Sequence, residues 1–177
     1  MDDTERHAAF MSALVTEHYV LQAAASATTS EAAARASLYI YSLSSSLVAM
    51  GFASRTSEVF RPFASAVLPA VFILGLFTIA RLVDTGIEYQ QALRGIARIR
   101  SYYRTRRLWS GAFVALLTTA ASMIAFTNSV VAGACVTLLV ASLGSDRIGL
   151  GLSLGAATAV ALMAGFLAYQ RLRYRHF

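Results

Sequence analysis

Charged side chains are absent from four long stretches of this chain. No Asp, Glu, Lys or Arg occurs in residues 36–54, 62–80, 108–145 or 148–170. A helix needs about 20 apolar residues to cross a bilayer core that is about 30 Å thick. The pattern therefore predicts an all-α fold, a polytopic membrane helical bundle with four transmembrane helices over 36–54, 62–80, 108–127 and 148–170.

The third apolar run is the one whose assignment is open. Residues 108–145 are too many for one ordinary crossing, and two crossings with a tight turn at 127–129 would just fit. Five crossings would place the basic tail 171–177 outside the cell, whereas Lys and Arg of short segments gather on the cytoplasmic side. We therefore expect one crossing over 108–127, followed by an apolar extracytoplasmic or re-entrant segment over 128–147.

The placement of arginine predicts the orientation of the chain. Residues 81–107 and the tail 171–177 are rich in arginine, while the connector 55–61 is close to neutral. Both basic segments lie on one side if the chain crosses four times. The sequence therefore predicts a multi-pass protein of the inner (plasma) membrane with both termini in the cytoplasm.

The first two crossings are predicted to continue as long cytoplasmic helices. Residues 5–50 contain neither proline nor glycine, and alanine, the best helix former, is abundant over 23–36. Residues 1–35 read as an amphipathic helix continuous with the first crossing, and residues 81–107 as a basic helix continuous with the second. Two such extensions would pack as an antiparallel stalk, which is typical of self-associating proteins.

Hydroxyl groups make the first crossing unusually polar, and they suggest a pore. We take Ser42, Ser45 and Ala49 as candidates for a pore lining. The alternative is that these hydroxyls bond to carbonyls of their own helix or of a neighbouring helix. Asp84 and Glu88 lie one turn apart at the cytoplasmic end of the second crossing and are candidates for an acidic channel mouth, with two solvated carboxylates as the alternative.

Small residues recur every four positions in the last crossing and predict close helix packing, either within the chain or between subunits. The candidate packing residues are Gly149, Ser153, Ala157, Ala161 and Gly165, and a second row beside them holds Gly151, Gly155 and Ala159. Arginine binds phosphate through two parallel N–H donors, and tryptophan is enriched at the membrane interface. Residues of these two types are therefore candidates for contact with lipid headgroups. These are Arg94, Arg98, Arg104, Arg106, Arg107 and Trp109.

The sequence offers no chemistry that we expect to be catalytic. Residues 151–155 match the G-x-S-x-G nucleophile motif, but they open an apolar helix and no acid follows them. His7, His18 and His176 do not have metal-ligand spacing, and Cys135 is the only cysteine. We expect no enzyme, no metal and no cofactor. Nucleic acid is an unfavoured partner, because proximity to the membrane explains the arginine cluster more simply.

Several short segments resemble a known group of proteins. The segments 17–22 (EHYVLQ), 37–39 (SLY) and 96–103 (IARIRSYY), with the serine-rich first crossing, resemble an uncharacterised family of small multi-pass membrane proteins of high-GC bacteria. That resemblance implies a membrane protein and transfers no site residue. The long helices that run into a membrane hairpin are similar in architecture to the SLATT-type membrane effectors, although four crossings depart from that pattern. This second likeness implies pore formation.

These patterns together predict a homo-oligomeric integral membrane protein that acts as a channel or pore for ions or small solutes. The alternative is a non-conducting, membrane-anchored interaction or regulatory subunit that works through its cytoplasmic helical stalk. The expected partners are membrane lipids, further copies of the chain and a cytosolic protein.

Overall fold

Four helices account for nearly all of the described chain. The computed structural model describes residues 2–103, 111–144 and 147–175. The helices are α1 (Asp3–Ala53), α2 (Ser57–Tyr103), α3 (Gly111–Ser142) and α4 (Ile148–Arg175), and there is no strand in these described ranges. All four helices are long and apolar enough to cross a membrane. This confirms the all-α, four-helix part of the prediction.

Helices α1 and α2 are both unbroken, as the sequence predicts. α1 has 51 residues and α2 has 47, so each is about 70 Å or more in length at 1.5 Å per residue. Asp2 caps α1 with a capping box, in which its side chain accepts from the Glu5 backbone N–H and the Glu5 side chain accepts from the Asp2 backbone N–H. The Asp2 side chain also accepts from the Asp3 amide. A short turn after Ala53 joins the two helices into a hairpin.

A seam of buried and half-buried residues joins α1 to α2 along most of their length. On α2 one row of buried positions recurs at alternating spacings of four and three residues: Ala64, Leu68, Val71, Gly75, Thr78, Leu82, Thr85, Tyr89, Ala92, Ile96 and Ile99. Val83, Gly86 and Ile87 are buried outside this row. The less exposed positions of α1 follow the same heptad spacing from Met11 to Met50. This repeat is typical of a left-handed coiled coil, so α1 and α2 form one antiparallel coiled-coil hairpin.

Contacts across the hairpin fix its register. Leu21 of α1 lies against Gly95 of α2, where a Cβ atom would meet the leucine side chain. Further along, the Arg81 guanidinium pairs with Glu31. The halves of α1 and α2 outside the charge-free stretches therefore pack on each other, as the predicted stalk requires.

Helix α3 differs from its prediction. It runs from Gly111 to Ser142 without a break at residues 127–129, so no turn forms there and residues 128–142 continue the helix. The stretch Ala120–Ser142 is apolar enough to cross a membrane, and where the third crossing begins and ends stays a prediction. Asn128 is not at a turn, because it lies inside the bundle with a hydrogen-bond partner.

The helices form a chain of neighbours in which α2 contacts α1 and α3, and α3 contacts α4. The inner helices are the more buried: 39% of the most apolar part of α3 is buried, against 6% for α1 and 11% for α4. The outward faces of α1 and α4 are therefore the surfaces that lipid or another copy would cover. The C-terminal turn of α4 lies beside Asp84 of α2, at the same end of the bundle as the extensions of α1 and α2.

Candidate functional site

A buried polar junction joins three helices within the apolar part of the bundle. Tyr39 of α1 and Asn128 of α3 are only 1% and 2% exposed. The Tyr39 hydroxyl donates a hydrogen bond to Asn128 Oδ1 over 3.3 Å. The Asn128 amide lies against the backbone of α2 at Gly75, where a Cβ atom would clash with it. Buried polar groups in lipid need such partners, and this junction fixes how α1, α2 and α3 fit together.

The junction can be formed only because position 75 has no side chain. The buried stripe of α2 carries larger residues at most other positions, and Gly75 leaves a hollow that is filled by the Asn128 amide. Sequence pattern does not predict this pairing, because Tyr39 and Asn128 are 89 positions apart.

Helices α3 and α4 approach each other closely through glycines. A Cβ atom at Gly155 would meet the carbonyl oxygen of Gly133, and one at Gly133 would meet the carbonyl of Gly155. The Thr137 hydroxyl lies 2.9 Å from the Gly133 oxygen and 3.1 Å from the Gly151 oxygen. When the Thr137 hydroxyl donates to the Gly151 carbonyl, it links α3 to α4. This bond adds to the close packing that small residues allow between membrane helices.

This contact is made by the row Gly151, Gly155 and Ala159, which is the second row of small residues in α4. The row Gly149, Ser153, Ala157, Ala161 and Gly165 lies on the exposed side of α4. Nothing lies within 4 Å of a Cβ atom built at Gly149 or Gly165. Within the described chain, α3 contacts the Gly151, Gly155 row instead. Packing of the exposed row against another subunit stays a prediction.

Ion pairs form a charged collar, defined here by Glu31, Arg35, Arg81, Asp84 and Arg173, at the end of the charge-free stretches. Glu31 Oε1 accepts from Arg35 Nε at 2.9 Å and from Arg81 Nε at 3.1 Å. Hydrogen bonds from Arg35 and then Arg81 hold the pKa of Glu31 below its usual value. Since these side chains are partly exposed, each pair contributes little stability. These ion pairs mark one boundary of the apolar layer.

The two acidic mouth candidates belong to this region, and each has an arginine close by. Asp84 Oδ1 accepts from Arg173 Nη2 of α4 at 3.2 Å, and Glu88 lies 3.7 Å from Arg81. Both carboxylates therefore have a cationic neighbour within one copy, which weakens the electrostatic attraction that an acidic ring would exert on cations. Asp84 is also more than a carboxylate in water, because its ion pair with Arg173 connects α2 to α4.

The predicted pore-lining residues do not share one outward face. Ser42 and Ala49 are half-buried on the flank of α1, and Ser45 is exposed. The Ser45 hydroxyl donates to the Tyr41 carbonyl over 2.8 Å. The outward face, opposite the seam, carries three further exposed hydroxyl-bearing residues besides Ser45. They are Ser37, Tyr41 and Ser44, which we name the hydroxyl stripe. Locating the seam at Tyr39 would have revealed it, since two residues turn a helix through about 200°.

The headgroup candidates are only partly covered by the structure. Arg94 and Arg98 are exposed on α2 beyond the charged collar, where a headgroup or water can reach them. Arg104, Arg106, Arg107 and Trp109 lie outside the described residues, so their headgroup role stays a prediction.

Comparisons of the chain with models of protein families, with curated proteins and with solved structures gave no significant match.

Proposed function

We propose that this chain is a homo-oligomeric protein of the inner membrane that passes ions or small solutes through a pore lined by α1 and formed between copies. The hydroxyl stripe carries the proposal. Ser37, Tyr41 and Ser44 are exposed on the side of α1 that faces away from its own bundle, and they lie in a stretch without charge. Lipid gives hydroxyl groups no hydrogen-bond partner, whereas a water-filled path does.

The pore belongs between copies because the place where α1, α2 and α3 of one copy meet is filled. Tyr39, Asn128 and Gly75 close the space where α1, α2 and α3 meet. A path for ions therefore needs the outward face of α1 from several subunits around a common axis. The exposed row of small residues on α4 gives a second surface on which another copy could approach closely.

The orientation follows from charge. Residues 81–107 and 171–177 hold most of the arginine, and Arg173 of α4 lies beside Asp84 of α2. The extensions and the C-terminal end of α4 are therefore on one side, which the positive-inside rule assigns to the cytoplasm.

Conduction is tested by flux through liposomes that contain the purified protein. We expect the wild type to pass ions and Ser44→Leu to lose most of the flux. A ring of leucine side chains, one from each copy, would expel water from a narrow pore, and ions do not pass without water. Ala66→Leu is the control, since Ala66 is an exposed residue in the charge-free part of α2, and it should conduct as the wild type does. No conductance by the wild type at any voltage, or an equal loss in both variants, would reject the pore.

An interaction subunit is the second candidate, and one observation favours it. Large apolar residues are exposed on the extension of α1 beyond the charged collar: Val15 is 64% exposed, Tyr19 72% and Val20 58%. Water surrounds this part of the helix if the collar marks the membrane boundary, and exposed apolar residues there suit a protein partner. This function would need no conduction.

The partner is tested by affinity capture from cells with the full chain. Under this second candidate we expect Tyr19→Asp to lose a cytosolic partner that the wild type retains, because a carboxylate opposes an apolar contact. Gln91→Asp, at an exposed position on the neighbouring extension of α2, should retain it. Equal capture by both variants would remove the case for this surface.

A further inference from the structure

A cavity opens between α2 and α3 at the end of the bundle away from the extensions. Its volume is about 230 Å³. The walls are largely apolar and include Leu68 and Pro69 of α2 and Cys135 and Leu138 of α3. The cavity plays no part in the pore proposed above, which lies along α1.

One end of the cavity is cationic. Arg61 lines it and is the last charged residue before the charge-free stretch 62–80. In the ranges that the structure describes, Arg61 has no carboxylate within ion-pair distance, whereas Arg35, Arg81 and Arg173 each have one. The Arg61 guanidinium is therefore available to an external anion.

The wall also contains a backbone carbonyl without its helical donor. Pro69 has no N–H to give to the carbonyl of Ser65, four residues earlier, and both residues line the cavity. From Arg61 to Pro69 the helix advances about 12 Å, at 1.5 Å per residue. The cavity thus runs from a cation at the boundary of the apolar layer to a depth well inside it.

We propose that this cavity binds one anionic phospholipid, with its phosphate on Arg61 and an acyl chain between α2 and α3. The chemistry matches at both ends. A guanidinium binds phosphate oxygens through parallel N–H donors, and the apolar walls suit a hydrocarbon chain. A lipid with a net negative charge is favoured over a zwitterionic lipid, because the ammonium group of the latter is repelled by the unpaired arginine.

Native mass spectrometry of the detergent-purified protein tests this proposal. The protein is mixed with equal amounts of phosphatidylglycerol and phosphatidylcholine. We expect the wild type to retain phosphatidylglycerol in excess, and Arg61→Gln to lose that excess. Arg55→Gln, which changes another exposed arginine of the same connector, is the matched control and should keep it.

A second variant tests the place of the acyl chain. Ala141→Phe adds bulk to the cavity wall and should reduce retention of both lipids. Equal retention of the two lipids by the wild type would overturn the proposal, as would an unchanged excess in Arg61→Gln. Arg61→Gln changes only an exposed side chain, so the test stands even if Ala141→Phe does not fold.

Discussion

Leucine in place of Gly155 is expected to separate α3 from α4. A Cβ atom at this position would meet the Thr137 hydroxyl and the Gly133 carbonyl, and a backbone carbonyl cannot move aside as a flexible side chain can. Overpacking of this kind costs about 1–3 kcal/mol and sometimes more, and we expect the upper end. Unfolding of the detergent-solubilised protein, followed by circular dichroism, measures the loss.

Gly165→Leu is the matched control on the same helix, because nothing lies within 4 Å of a Cβ atom there. Its fold should be as stable as that of the wild type. The same variant also tests the outward row, since a bulky residue at a subunit contact would lower the oligomeric state without unfolding the chain. Equal stability of the Gly155 and Gly165 variants would contradict the close crossing.

Alanine in place of Gly75 is expected to expel the Asn128 amide from its hollow. The three atoms nearest to a Cβ atom at this position all belong to the Asn128 side chain. The bundle would lose the Tyr39 hydrogen bond as well, and overpacking costs about 1–3 kcal/mol. Unfolding midpoints of the purified variants, measured side by side, give the size of the effect.

A double-mutant cycle decides whether Asn128 is the cause. Asn128→Ala removes the atoms that the new methyl group would meet, so Gly75→Ala should cost much less in that background. Gly51→Ala, with open space at its Cβ position, should have little effect in either background. If Gly75→Ala costs the same with and without Asn128, the junction as described is wrong.

The sequence predicts those features that depend on local pattern. Absence of charge marks where α1, α2 and α4 can cross a membrane, because a charge in hydrocarbon is costly wherever the helix packs. Absence of proline and glycine predicts the unbroken α1. Ala92, Ile96 and Ile99 are buried, and their spacing of four and three residues is the pattern of one helix face.

The sequence does not predict those features that depend on a distant neighbour. A polar residue such as Asn128 in an apolar stretch is compatible with a turn, and only its hydrogen bond with Tyr39 shows that it lies inside a continuous helix. Alanine-rich sequence gives α4 two rows of small residues, and only the position of Gly133 selects one of them. The outward face of α1 is likewise defined by where α2 lies, so that Ser45 is exposed while Ser42 and Ala49 are half-buried.

The unbroken heptad seam has a mechanical consequence. Its spacing passes from the extensions through the charged collar into the apolar layer without a glycine turn or a loop. A two-stranded coiled coil resists twisting between its ends, because the side chains of its two helices interdigitate along the seam. Torque applied near Leu21 and Gly95 would therefore be transmitted to the charge-free half of α1, turning Ser37 and Ser44 relative to whatever adjoins them.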